Sequence, residues 1–241
     1  MKLLLFDVDN TLTESTKSIT NDMVICLQNM RNNNYVLGIV GGSNINKHLQ
    51  QLGEDKLFEL FKYVFSQNGI TSFIDGVQIH SNDIRNCSAP EYMQAIINEL
   101  LVILLDLPIT KVGNMISFRK GLIYFSPVGG DANQEERQMF IEYDKKHDIR
   151  NTIITRLEKQ FGDKMVISHG GSTGVCIHPI GWDKTYCLRH FDKREFDEIH
   201  FFGDQTEPNG SDYTLYSHPD IIGHSVKNPK ETISILYSMC K

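Results

Sequence analysis

The sequence predicts an α/β protein whose parallel-sheet core is interrupted along the chain by an inserted α+β module. Three observations predict it. Short apolar runs alternate with helical stretches through residue 81, that rhythm breaks between 82 and 180, and it resumes from Trp182. The expected division is a discontinuous core of residues 1–81 and 181–241 holding a cap of residues 82–180. A chain of 241 residues suits one large domain or two modest ones and suffices for a sizeable core.

Each element can be read in order. Lys2–Phe6 is an apolar strand ending in two acids. Thr20 is placed to cap a helix over Asn21–Asn32, with apolar positions Met23, Ile25, Cys26, Leu27 and Met30. Tyr35–Val40 is a second strand, stopped by Gly41-Gly42; Ser43 or Asn44 caps the next helix and Gly53 ends it. Tyr63–Phe65 is a third strand, and two more flank the Asp75-Gly76 turn. In the insertion, a helix near Glu91–Leu105 precedes strands at Asn114–Phe118 and Leu122–Ser126. A charged helix runs from about Gln134 towards Gln160, interrupted near Asp148, and strands follow at Met165–Ser168 and Gly174–His178. From Trp182 come a helix, a strand at Glu198–Phe202, another helix, a strand at Ile221–Ser225 and a last helix, Pro229–Met239.

Charge and composition exclude several functions. With 24 Lys+Arg against 30 Asp+Glu the net charge is −6, which argues against a nucleic-acid partner. No apolar stretch reaches the ~18 residues a membrane span requires. The longest, Ile96–Leu107, contains Asn98, Glu99 and Asp106 and reads as a buried helix face. Leu3–Phe6 before Asp7 and Asp9 is too short and too acidic for a signal peptide. Five dispersed cysteines without a CxxC fit reduced thiols, so a soluble, cytoplasmic protein is expected.

The chemistry concentrates at strand ends. Asp7-Val8-Asp9 directly follows an apolar strand, where a sharp turn can bring both acids into the crevice that parallel sheets use for ligands. Two carboxylates there can chelate a hard cation, and one can attack a phosphoryl group. A bare DxD is as often a solvated strand end; its place after Lys2–Phe6 and before Thr11-Leu12-Thr13 favours chemistry. Val40-Gly41-Gly42-Ser43 offers backbone N–H groups and a hydroxyl to a phosphate, though the same residues make plain turns. Lys184, after Gly181-Trp182-Asp183, can neutralise a phosphate. Asp204, after Phe201-Phe202-Gly203 and followed by Thr206 and Asp212, is typed to complete a Mg²⁺ site. Singly these are weak. Jointly and in this order they are not.

The ordered set resembles the haloacid-dehalogenase superfamily of aspartyl-phosphate enzymes. More narrowly, FDVDNTLT, VGGS, FRKGLIYFSPVG, QEER, GWDKTYCLRH and FFGDQT are similar to the eukaryotic-type phosphomannomutases, essentially end to end. The resemblance implies a Rossmann-like haloacid-dehalogenase core with an α/β cap. It implies a cytosolic homodimer formed through the cap, Mg²⁺ dependence, a hexose 1,6-bisphosphate activator and a sugar-phosphate substrate. The implied reaction interconverts mannose 6-phosphate and mannose 1-phosphate for GDP-mannose supply.

Carried over by position, Asp7 is implied as nucleophile and Asp9 as general acid–base. Asp7, the Asp9 main-chain carbonyl and Asp204, with Asp212 nearby, are implied around Mg²⁺. Ser43 and Lys184 are implied on the phosphoryl oxygens. In the cap, Arg119 and Arg137 are implied on the non-reacting phosphate, a task suited to a planar fork. Read alone, both would pass as surface charges.

The departures are as informative. Asn10 stands in place of the family's Gly, Asn44 in place of an Asp, Gln205 in place of a Lys and His218 in place of a cation-site Asp. Thr16 and Gly130 occupy positions of substrate-site arginines, and Gly174 and Cys176 take the substrate positions of a Ser and an Asp. Losing two Arg contacts costs about 3–6 kcal/mol, roughly two to four powers of ten in affinity. Lys17 can compensate in part if it reaches. The expectation is therefore a mutase, with a Mg²⁺-dependent phosphatase as second reading and a non-catalytic dimeric homologue as third; the intact Asp7, Asp9, Ser43, Lys184 and Asp204 speak against the last.

Overall fold

The computed structural model describes residues 1–87, 90–208 and 210–240. Two compact units emerge, Met1–Ser81 with Gly181–Lys241, and Asn82–Ile180. In chain order the first begins with β1 (Lys2–Phe6), α1 (Asn21–Asn32), β2 (Tyr35–Gly41), α2 (Ile45–Leu52), α3 (Glu54–Leu60), β3 (Tyr63–Ser66), β4 (Thr71–Ile74) and β5 (Val77–Ser81). The second holds α4 (Pro90–Asp106), β6 (Ile116–Phe118), β7 (Ile123–Phe125), α5 (Gln134–His147), α6 (Ile149–Phe161), β8 (Met165–Gly170) and β9 (Gly174–Pro179). The first unit then resumes with β10 (Glu198–Gly203), α7 (Tyr213–Tyr216), β11 (Ile222–Ser225) and α8 (Pro229–Met239).

The core sheet runs β11-β10-β1-β2-β3-β4-β5, with five parallel strands and then an antiparallel hairpin. β1 is central, which explains its unbroken apolar run: both faces are covered. Leu4 and Phe6 join a layer with Met23 and Leu27 of α1 and Leu236 of α8, while Leu3 and Leu5 pack with Cys187, Phe196 and Leu215. The β4–β5 turn has Asp75 at φ 51° and Gly76 at φ 77°, the two left-handed residues of a tight hairpin. The carboxyl ends of β1, β2 and β10 therefore lie side by side, and Asp7 N–H donates to Phe202 O at 2.9 Å.

Several expected elements change form. Thr20 does cap α1, its hydroxyl accepting from Met23 N–H, but Ile25 is exposed and Val24 is buried instead. Gly53 ends α2 at φ 87° and at once starts α3, which the sequence pattern hid. The helix after Trp182 is a 3₁₀ stretch, Lys184–His190, opened by the Asp183 side chain. Between β10 and β11 the helix is a single turn. The last strand starts at Ile222, and the first two cap strands keep only three residues each.

In the second unit the sheet order is β6-β7-β9-β8, all antiparallel. Helix α6 packs on β8 and β9, and α4 and α5 pack on α6. Asp148, at φ 54°, is the left-handed break between α5 and α6. The QEER segment opens α5 behind a capping box, in which Asn133 Oδ1 accepts from Glu136 N–H and Glu136 returns the bond. Val175, Ile177, Ile123 and Phe125 are buried, so the alternate residues share the opposite face. There Ser117, Tyr124, Cys176 and Ser168 form one register row across all four strands. Among the described residues no helix is long and apolar enough to cross a membrane.

Candidate active site

Asp7 leaves β1 at its carboxyl end and is 9% exposed. Lys184, itself buried, sets its Nζ against both Asp7 Oδ1 and Asp212 Oδ1. The 3₁₀ segment carrying Lys184 is fixed from below. Gly69, at φ 97°, leaves no room for a Cβ against the Cys187 backbone, and Asn68 Nδ2 donates to Trp182 O at 3.4 Å. Asp212 is fully buried. Its Oδ2 accepts from Gln205 N–H at 2.9 Å, and its Oδ1 pairs with the Lys184 ammonium. A Cβ on residue 203 would stand 2.5 Å from Asp212 Oδ2, so β10 must end in glycine for this acid to enter.

One carboxylate oxygen each from Asp7, Asp204 and Asp212 lies within 4.8 Å of the others. Three hard oxygen donors against one ammonium leave excess negative charge in a desolvated place. That donor set fits a Mg²⁺ ion. The same imbalance shifts the pKa values of the groups that share it. Burial raises the Asp7 pKa to about 7, with Asp212 and Asp204 adding to it against the opposing pull of Lys184. Burial works against the Lys184 charge, but Asp212 and Asp7 outweigh it and the ammonium is held above its ordinary pKa.

The Asp9 carboxylate lies apart from this cluster, so only its main-chain carbonyl remains as the implied cation ligand. It faces α2. Lys47 Nζ donates to Oδ2 at 2.6 Å, while Gln51 Nε2 and Thr16 N–H donate to Oδ1 at 2.9 and 2.8 Å. Burial pushes the Asp9 pKa up, but these bonds outweigh it and hold the group below its usual range. Lys47 and Gln51 were not anticipated; their i, i+4 spacing on one face of α2 is the signal that exposes them.

Asn44, not Ser43, caps α2 by accepting from Lys47 N–H, which frees the Ser43 hydroxyl from that duty. Under this loop lies His48, fully buried, with Nδ1 3.0 Å from Ser66 Oγ and Nε2 without a hydrogen-bond partner among the described residues. A Cβ on Gly41 would overlap the imidazole. Burial lowers the His48 pKa to about 4, so the ring is neutral.

Asn10 adopts φ 58°, the left-handed conformation expected of a residue standing where Gly is usual, and donates Nδ2 to Asp204 Oδ2 at 3.1 Å. Gln205 Nε2 reaches the same oxygen at 3.1 Å. Thr16 is also left-handed, at φ 63°. Lys17 pairs with Glu14 at 2.5 Å, so its ammonium is already occupied.

In the second unit, Arg119 is exposed and stacks over the Tyr124 ring, Cζ 4.5 Å from the centroid. Arg137 turns back on its own loop, donating Nε to Ala132 O at 2.8 Å and Nη2 to Gly130 O at 2.6 Å. Gly174 and Cys176 lie on β9 with Tyr124 across from them. A Cβ on Gly174 would stand 2.5 Å from Tyr124 Cε2, and burial raises the Cys176 pKa.

Known proteins resemble this chain over nearly its whole length. A family model described as eukaryotic phosphomannomutase matches residues 23–241. A phosphomannomutase of Schizosaccharomyces pombe is 42% identical over 238 residues, covering 97% of this chain and 92% of its own. Human phosphomannomutase 1 is 40% identical, covering 96% and 89%. Among solved structures, an IMP-nucleotidase of Plasmodium falciparum bound to IMP superposes with TM-score 0.66 at 18% identity, covering 100% of this chain and 68% of its own. A haloacid dehalogenase-like hydrolase from Bacteroides thetaiotaomicron gives 0.59 at 12%, covering 99% of each chain. Those two likenesses establish the haloacid-dehalogenase fold and nothing narrower.

Proposed function

The chain belongs to the eukaryotic phosphomannomutase family, and from that premise we propose that it interconverts mannose 6-phosphate and mannose 1-phosphate through a phosphoryl group carried on Asp7. The observation that most supports this is the Asp7 carboxylate itself, buried at the end of β1 against Lys184 and within cation reach of Asp204 and Asp212.

The family implies Mg²⁺ dependence, and Asp7, Asp204 and Asp212 are the side chains that would hold the ion. When bound, Mg²⁺ offsets charge on the transferring phosphoryl group. Asp7 Oδ attacks phosphorus as the bond to the sugar oxygen breaks, and that oxygen takes its proton from Asp9. In the return half, Asp9 takes the proton of the other sugar hydroxyl as that oxygen attacks the Asp7 phosphate. Lys184 and the Ser43 hydroxyl steady the non-bridging oxygens. With its pKa held low by Lys47, Thr16 N–H and Gln51, resting Asp9 is ionised and set for the return half. The cycle runs from phosphorylated Asp7; a hexose 1,6-bisphosphate activator would supply that phosphate, its leaving oxygen taking a proton that Asp9 must first acquire from solvent.

Turning the bisphosphate end for end requires one grip that serves either phosphate. We assign it to Arg119 and Arg137, with Gly174 and Cys176 bordering the substrate. A homodimer through the cap is supported by Leu101, Val102 and Leu105, exposed on one side of α4 at 48, 43 and 83%. Five cysteines that form no disulfide among the described residues support a reducing, cytoplasmic setting. A phosphatase is the second reading, favoured by the absence of a cationic side chain at Thr16 and Gly130; water would then take the phosphoryl group. Purified protein with Mg²⁺ and mannose 1-phosphate, with and without glucose 1,6-bisphosphate, separates the readings. Mannose 6-phosphate in excess of free phosphate is expected. Free phosphate alone would establish the phosphatase, and neither product a non-catalytic homologue.

A further inference from the structure

We propose that Tyr124 is a positioning residue that sets the stance of Arg119 and thereby the affinity for the non-reacting phosphate. The inference rests on the reading above, in which Arg119 holds that phosphate.

The Tyr124 ring is seated on two glycines. Gly170 and Gly174 are register partners on β8 and β9, and neither has a positive φ that would itself demand glycine. What demands it is the ring: a Cβ on Gly170 would come 2.8 Å from Tyr124 Cε2, and one on Gly174 2.5 Å from the same atom. The hydroxyl completes the seat, donating to Gly170 O at 3.1 Å. The ring is thus held by a backbone bond and by the sheet beneath it.

Arg119 is exposed and long, and its own N–H is spent closing the turn to Leu122 O at 2.8 Å. Left alone, its guanidinium would sample many rotamers and lose that freedom on binding an anion. With its Cζ over the Tyr124 ring, 4.5 Å from the centroid, the guanidinium is held by the ring's negative face, and this cation–π contact takes none of its hydrogen-bonding capacity for carboxylate or phosphate oxygens. The neighbouring side chain in the row, Cys176, is only a weak acceptor and does not draw the Arg119 guanidinium off the ring. Gly174 and Tyr124 together thus replace a side chain on β9 with a platform on β7.

The test is steady-state kinetics on mannose 1-phosphate with glucose 1,6-bisphosphate for Arg119→Ala, Tyr124→Leu, Tyr124→Phe and the double variant Arg119→Ala/Tyr124→Leu. Tyr124→Met, whose flexible unbranched chain can settle over the glycines without a ring, guards against loss of the fold. Tyr124→Leu and Tyr124→Met should raise KM roughly three- to tenfold and lower kcat far less. Tyr124→Phe, which keeps the ring, should stay within about twofold, and Tyr124→Leu should add nothing on the Arg119→Ala background. If Arg119→Ala raises KM while Tyr124→Leu and Tyr124→Met do not, or if Tyr124→Leu acts equally with and without Arg119, the inference is overturned and the phosphate role of Arg119 stands. If Arg119→Ala itself leaves KM unchanged, that role falls first and takes the inference with it.

Discussion

Asn10 and Asp204, 194 residues apart in sequence, are joined by a hydrogen bond of 3.1 Å from amide to carboxylate. The bond exists because the turn after β1 puts residue 10 at φ 58°, where asparagine is tolerated and most side chains are not. A position where the family resemblance implies glycine here gains an arm reaching the β10 acid.

Asn10→Gly should therefore relax the backbone while releasing Asp204. The Mg²⁺ concentration giving half-maximal activity should rise about three- to tenfold, with activity at saturating Mg²⁺ little altered. EDTA should abolish turnover in both proteins, and Mg²⁺ should restore it. An unchanged Mg²⁺ requirement would mean that the bond does not orient the acid.

Asp7→Asn should remove turnover, by on the order of a thousandfold or more, since an amide is not a competent nucleophile. The fold should survive, because Lys184 keeps Asp212 as a partner. Circular dichroism melting alongside kcat distinguishes a lost nucleophile from a lost structure; near-normal kcat would rule out the covalent route.

Thr16→Arg with Gly130→Arg should raise the ratio of isomerised sugar to free phosphate at least threefold or so, because a bisphosphate held longer reorients before it dissociates. Both sites admit the change. Arginine is no worse than β-branched threonine at φ 63°, and a Cβ on Gly130 meets Asn114 O at 3.2 Å, which needs only a small adjustment. A ratio that stays level or falls would show that the cap fits another ligand.

His48 predicts a pH dependence of stability. Its folded pKa of about 4 lies below the ordinary 6.5, so between those values the unfolded chain binds the extra proton. Its effect is nil above pH 6.5; stability falls as pH drops towards 4, by about 3 kcal/mol at the limit, and then levels off. His48→Leu removes the titration. Melting temperatures measured from pH 7 to 4 should decline more steeply in the natural protein than in the variant, and parallel slopes would refute the assignment.

What the sequence discloses of this molecule is what local order can encode. An unbroken apolar strand followed by two acids announces a strand covered on both faces with its end in a crevice, and Lys2–Asp9 is that. Gly203 and Asp204 read the same way, although that the glycine clears space for Asp212 depends on a fold-over of nine residues. Lys47 and Gln51 stayed hidden because their partner, Asp9, is some forty residues away. Tyr124 stayed hidden because its meaning lies in a sheet register, opposite a glycine on another strand. Ile25 misled because the burial stripe of α1 follows where β1 and α8 lie rather than every apolar residue. Arg137 was legible as a cation, but not as one bent onto Gly130 O and Ala132 O.

The strand order β10-β1-β2 has a consequence for how the polypeptide matures. Lys2 pairs with Tyr35 on one side and with Glu198 on the other, so one flank of the first strand can be satisfied early and the other only after most of the chain exists. On the ribosome, residues 82–180 emerge as a contiguous stretch with an antiparallel sheet of their own. The first 81 residues wait meanwhile with the β10-facing edge of β1 bare and apolar. Such an edge is a template for pairing with other chains, and closing a loop of this length is slow. The nascent protein should thus need shielding at β1 until β10 is released, and crowded overexpression should trap it there first.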